Sequence, residues 1–268
     1  MYLYLAVTVF YLVYAATQSN QTGVVATSFL LLALGVHSTG LVYRWVETHQ
    51  TGYGYVPLSN MYESLIFFSW TIVLIYLILE FLYRQKTIGV FVTPFAFLFI
   101  ALTSIIPGVD SQIRPLIPAL KSPWLAIHVI TCFVGYAAFA VSFWFSILFL
   151  IKDGRQKNNP SQLRFLPSTR LLDEINYRSI LIGFPMLTLG IVTGAAWANY
   201  AWGSYWSWDP KETWSLITWF IYAAFLHARL TRGWSGRKTA LLSIIGFGAV
   251  LFTYFGVNYL ISGLHSYA

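Results

Sequence analysis

The feature that most constrains this chain is the length of its uncharged apolar runs. Residues 124–151 and 88–106 carry no Asp, Glu, Lys or Arg at all. A helix crossing a hydrocarbon core of about 30 Å needs about 20 predominantly apolar residues. Apolar runs fall at 1–17, 23–45, 62–83, 88–106, 124–151, 178–199, 212–230 and 239–262. Charged residues make up 9% of the chain, against about 25% in a soluble domain. In lipid every backbone polar group must be satisfied internally, and a helix does this within one segment. The expected fold class is therefore all-α: a polytopic transmembrane bundle of about eight spans, with residues 1–268 forming a single transmembrane domain. The first run has no basic residue before it, where a signal peptide has a charged n-region, so it reads as a short first helix.

Basic residues orient such a bundle, because Lys and Arg accumulate on the cytoplasmic side. The one long polar stretch, 152–177, contains Asp153-Gly154, Asn158-Asn159-Pro160 and Pro167, which are breaker signals. Taken as a cytoplasmic loop, it fixes the remaining spans by alternation. Of the 16 Lys and Arg residues, only Arg44, Arg114, Lys121 and Lys211 then lie on the other side. Both termini and a loop at 199–212 are thus expected on the outer side. The formal charge of +7 is a topology signal, and no nucleic-acid partner is expected. Cys132 is the chain's one cysteine; without a CxxC pair the chain has no dithiol chemistry of its own, and Cys132 reads as a small packing residue.

The outer loop is unusually aromatic. Trp202, Tyr205, Trp206, Trp208 and Trp214 fall within 13 residues. An interfacial aromatic belt accounts for scattered tryptophans, but less well for this density. Trp202 and Trp206 share a face if the segment is helical, and Trp206 and Trp208 share one if it is extended. Gly203 beside them permits close backbone approach. Flat aromatic surfaces so concentrated suit a large, flat, apolar ligand held by stacking. Asp209-Pro210 reads as N-cap and first helical residue of the seventh helix, with Glu212 completing a capping box.

The pattern Trp202-Gly203-x-x-Trp206-x-Trp208-Asp209 resembles the tryptophan-rich signature of the haem-handling superfamily of cytochrome c biogenesis. Other stretches resemble the CcsA/ResC subunit family of the System II pathway. They are Arg44-Trp45, Pro57, Ser59-Asn60 and Tyr62-Glu63-Ser64-Leu65 in the first half; Leu172-Asp173 through Arg178, Gly194 and Trp197-Ala198-Asn199 in the second; and Gly256-Val257-Asn258 with Gly263-Leu264-His265-Ser266-Tyr267 at the end. The CcmC-like and CcmF-like branches share the loop but fit less well, the first having fewer helices and the second a longer chain. The resemblance implies a haem-presenting subunit of a cytochrome c synthase. Such a subunit moves haem b across a plasma (inner) or thylakoid membrane for thioether attachment to the CxxCH of an apocytochrome c, with a CcsB/ResB-like membrane partner. It also implies haem contact by Trp202, Gly203, Trp206, Trp208, Asp209 and Trp214.

Haem iron takes axial imidazole ligands. The charge bias alone places His128, at the outer start of the fifth span, and His265, just past the outer end of the eighth, on the side of the tryptophan loop. The resemblance implies that these two flank the loop as axial ligands. His227 lies 15 residues beyond Glu212, roughly 22 Å along a helix. An ionisable residue at that depth is a functional candidate; the resemblance implies a transmembrane haem there, with the second ligand from the partner. His37 is the in-chain alternative, and His49 reads as a solvated loop residue. Two rival classes remain: a b-type cytochrome carrying electrons between facing histidine pairs, and a small-solute transporter. The transporter predicts matching broken helices in two halves, whereas Pro94 and Pro185 interrupt spans without matching halves.

Overall fold

A computed structural model describes residues 1–156, 163 and 165–261. It is all-α. The helices are α1 (Tyr2–Thr17), α2 (Asn20–Gln50), α3 (Met61–Tyr83), α4 (Gly89–Ile105), α5 (Pro123–Gln156), α6 (Thr169–Trp202), α7 (Pro210–Arg232) and α8 (Arg237–Leu251). Past α8 a π turn, Phe252–Gly256, leads into a last short helix, α9 (Val257–Leu260). Among the described residues, five segments are long and apolar enough to cross a membrane: α2, α3, α5, α6 and the continuous stretch Arg237–Leu260. The apolar helices α1 and α4 are shorter, and α7, at 23 residues, is interrupted by Trp, Tyr, His and Arg.

The ends follow local chemistry. Asn60 caps α3 by accepting from the Glu63 N–H at 2.9 Å. Ser168 caps α6 by accepting from the Leu171 N–H at 3.2 Å. This cap starts α6 well before the apolar run does, so the polar stretch expected at 152–177 is shorter: α5 continues to Gln156 and α6 begins at Thr169. Charged residues extend both helices past the apolar stretch, since helix propensity does not require apolarity. Lys152 ties the two ends, donating to the Leu166 and Pro167 carbonyls at 2.6 and 2.8 Å.

The outside of the bundle is apolar. Leu32, Val42, Phe81, Leu82, Val192 and Leu230 are all more than half exposed, which suits lipid and not water. Lipid-facing helices gain little from apolar burial against one another, so close packing and buried polar bonds hold them. The α5–α6 seam shows this best. A Cβ on Gly183 would meet Phe139 Cε1 at 2.6 Å, one on Gly190 would meet Cys132 Sγ at 2.5 Å, and one on Gly194 would meet His128 Nδ1 at 2.6 Å. Each glycine of α6 receives a side chain of α5. Further along, the Ser142 hydroxyl donates to Asn176 Oδ1 at 2.6 Å and lies 2.6 Å from Ser243 Oγ, joining α5, α6 and α8.

The end opposite the tryptophan loop is fastened by two carboxylates. Buried Glu80 accepts from the hydroxyls of Tyr11, Thr27 and Tyr76 at 2.6, 2.5 and 2.7 Å. Asp173 accepts from Arg229, the Gly236 N–H and Thr239 at 2.6, 2.9 and 3.1 Å. With that end locked, the bundle opens at the other.

Candidate functional site

The tryptophan end holds a cavity with about 1240 Å³ of empty space out to its mouth. It draws on several separate stretches: Leu58–Ser64, Leu120, the first turns of α5, the last turns of α6, the loop before α7 with the first turns of that helix, and the π turn with α9. Its walls are mainly apolar and aromatic, with a few polar groups, the composition expected of a small-molecule site.

His128 anchors one wall. Its Nδ1 lies 2.7 Å from the Gly190 carbonyl oxygen. A carbonyl only accepts, so the proton is on Nδ1 and Nε2 keeps its lone pair, on a residue that lines the cavity. Gly194 leaves room for the ring, and Trp197 lies nearly parallel to it, centroids 6.1 Å apart at 13°. The Trp197 indole is itself fixed, donating to the Ala119 carbonyl at 2.9 Å. A backbone-oriented imidazole is the usual preparation of a metal ligand.

Another wall depends on the π turn, which shifts the register of the helix end. Thr253 and Tyr254 line the cavity from it, and Asn258 does so from α9 just beyond. Tyr254 is held by a 2.6 Å hydroxyl contact to Ser64 at the start of α3. Two lining segments, before α3 and before α7, are each fixed by a glutamate in a first helical turn. Glu63 accepts from the Ser59 N–H and hydroxyl at 2.8 and 2.9 Å and pairs with Arg44 at 2.9 Å. Glu212 accepts from the Ser207 N–H and hydroxyl at 2.8 and 3.2 Å and from the Asp209 N–H at 3.2 Å. Asp209 caps α7 in the capping box expected of it.

Of the residues expected from the sequence to contact haem, His128 and Trp206 line the cavity, and Tyr205 of the loop and Glu212 of the capping box line it with them. The others of the loop surround it. Trp202 is the last residue of α6 and packs edge-on against Trp197, centroids 4.9 Å apart. Gly203 follows as a left-handed cap at φ 75°, with open space where a Cβ would be; positive φ is what calls for glycine here. Trp214 packs on Phe252 at 4.2 Å, propping the π turn. Trp208 has φ 59°, a left-handed conformation uncommon for a bulky residue, and is 68% exposed with its ring edge-on to Trp206. His227 is exposed on a separate face of α7, in a stripe with Ile217, Phe220 and Leu230, away from the cavity. His37 is near the start of α1, 2.9 Å from the Tyr4 hydroxyl. His265 lies outside the described residues.

Sequence reasoning passed over Cys132, Tyr136, Tyr254 and Asn258 as lining groups. The matched spacings His128/Cys132 on α5 and Gly190/Gly194 on α6 carry a readable signal. Nothing in the sequence marks the π turn. Among the described residues, no three His, Cys, Asp or Glu side chains converge as a site for a bare metal ion.

The bundle, with membrane-length helices and an aromatic-rimmed cavity at one end, is that of a helical membrane protein, and comparisons with known proteins give its family. Residues 58–265 match the family described as cytochrome C assembly protein. The cytochrome c biogenesis protein CcsA of Gloeobacter violaceus is 39% identical, over 92% of this chain and 86% of that protein. CcsA of Chlamydomonas reinhardtii is 45% identical, over 85% of this chain and 64% of its own length. A solved structure, the cytochrome c heme lyase CcmF, superposes with a TM-score of 0.69 at 18% identity; it covers 94% of this chain, which spans 44% of that longer protein. The chain belongs to the cytochrome c assembly protein family.

Proposed function

We propose that this chain is the haem-handling subunit of a cytochrome c synthase. All eight long helices cross the membrane, α1, α4 and α7 included, with both termini and the tryptophan loop on the periplasmic or lumenal side. Haem b is the substrate: it crosses the membrane and is presented in the outer cavity to an apocytochrome c, whose CxxCH thiols add to its vinyl groups. The thiols belong to the apocytochrome, since this chain has the single cysteine Cys132. A CcsB/ResB-like membrane subunit completes the assembly.

The observation that carries this reading is the bond from His128 Nδ1 to the Gly190 carbonyl, which leaves Nε2 for iron on a wall of the cavity. His128 is one axial ligand and His265 the other. Trp206 offers the stacking face. Trp202, Gly203, Asp209 and Trp214 hold the loop and the π turn in place, and Trp208, exposed at the mouth, meets haem on entry. His227 faces out of the bundle, where a ligand from the partner subunit reaches it, and this accommodates a haem within the membrane. The protein supplies position and ligation; the bond-forming chemistry belongs to haem and thiol.

The test is an absorption spectrum of the purified full chain, with and without co-expressed partner, beside His128→Ala and His265→Ala. A six-coordinate b-type spectrum is expected, weakened by each substitution and restored by added imidazole. A folded, colourless protein in the presence of its partner rules the reading out.

A further inference from the structure

Lys211 is at the second position of α7 and lines the cavity. A cation there opposes the helix macrodipole, whose N-terminus is already positive. Its ammonium donates to Asn258 Oδ1 at 2.8 Å. Asn258 is in turn oriented by its own Nδ2 donating to the Tyr254 carbonyl at 2.8 Å. An ammonium has three donors and no acceptor. The nearby carboxylates are committed elsewhere: Glu212 to Ser207 and the Asp209 N–H, and Asp209 to the Lys211 backbone N–H at 2.9 Å. Of the described residues, none brings a carboxylate within ion-pair distance of Lys211 Nζ. The cavity thus contains an ammonium with donors to spare, set among aromatic walls. Burial of a charge is costly unless it is paired, and local rules of this kind are broken chiefly at functional sites.

We infer that Lys211 pairs with a carboxylate of the cavity's occupant, so that the site selects a flat aromatic molecule bearing an acidic edge over the same molecule without one. This rests on the haem reading above and deepens it: the acidic edge is a propionate, and Lys211 sets which way round the macrocycle lies. Asn258 holds the ammonium on the cavity side when the site is vacant. Lys211 is a specificity-determining residue, distinct from the proposed iron ligand His128.

The test compares two probes on the full chain in detergent, haem and its dimethyl ester, followed by absorption titration. A charge-assisted hydrogen bond lost in a desolvated site corresponds to a change on the order of tenfold or more in affinity. The wild-type chain is expected to favour haem over the ester by that factor. Lys211→Met and Lys211→Gln erase the preference by weakening haem binding while leaving the ester unchanged; Lys211→Arg keeps it. A Lys211 that merely braces the π turn through Asn258 predicts that both probes weaken together in the variants. Equal wild-type affinity for haem and ester, or a preference that survives Lys211→Gln, overturns the inference while leaving the haem reading intact. Failure of the wild-type chain to bind either probe removes both. The wild-type comparison decides the matter even if a variant does not fold.

Discussion

His128 owes its place to a residue with no side chain. The ring fits only because position 194 lacks a Cβ, which would lie 2.6 Å from Nδ1 and 2.8 Å from Cε1. The Gly190 carbonyl then fixes the tautomer. Gly194→Ala is therefore expected to push the imidazole off that carbonyl, with the cost of an overpacked site, about 1–3 kcal/mol. The haem spectrum should weaken as it does in His128→Ala, and thermal unfolding should shift downward. Added imidazole should restore the spectrum less fully than in His128→Ala, because the displaced ring still occupies space. An unshifted spectrum in Gly194→Ala shows that the ring is not positioned by this contact. A single histidine in an apolar run says little by its identity; its role depends on a helix more than 60 residues away.

At the scale of elements, the helix caps were legible and the cavity was not. The Asp209-Pro210-Lys211-Glu212 start of α7 forms the capping box that its residues prescribe, because a cap is a contact among neighbours. The cavity wall made by Tyr254 and Asn258 depends on a π turn, and Phe-Thr-Tyr-Phe-Gly has no pattern that distinguishes it from more helix. The tryptophan loop stands out in the sequence by density alone, yet only Trp206 among its tryptophans lines the cavity, since helix capping and packing on Trp197 and Phe252 claim others. The loop's shape rests on Glu212 Oε2, which accepts three of its donors. Glu212→Ala leaves them unpaired and is expected to cost about 0.5–2 kcal/mol, the range for losing a cap. Limited proteolysis at Gly203–Asp209 should become faster and haem binding weaker, with α7 retained. Glu212→Gln keeps an acceptor oxygen and should fall between. Unchanged proteolysis in Glu212→Ala shows that the loop is held by other contacts.

For the whole molecule, one bundle has two unlike ends. One is fastened by Glu80, which accepts from α1, α2 and its own helix, and by Asp173, which accepts from three donors of other segments. The other is open, rimmed by short loops that Glu63 and Glu212 hold. The apolar runs gave the helices away because lipid leaves few alternatives to helix, but their lengths understated α2, α5 and α6, whose ends continue beyond the apolar stretch. The basic residues outside that open end cluster at the fastened end: Arg84 and Lys86 after α3, Lys152 and Arg155 at the end of α5, Arg229 through Lys238 around the α7–α8 turn. The positive-inside rule then predicts the fastened end in the cytoplasm and the cavity outside, the orientation proposed above. Exposed Ser204, in the tryptophan loop, and exposed Ser235, between α7 and α8, report the two ends. In intact spheroplasts an impermeant maleimide should label Ser204→Cys at once and Ser235→Cys only after permeabilisation, with buried Cys132 silent in both. The opposite pattern would place the cavity on the cytoplasmic side, where it would serve to receive haem and not to present it.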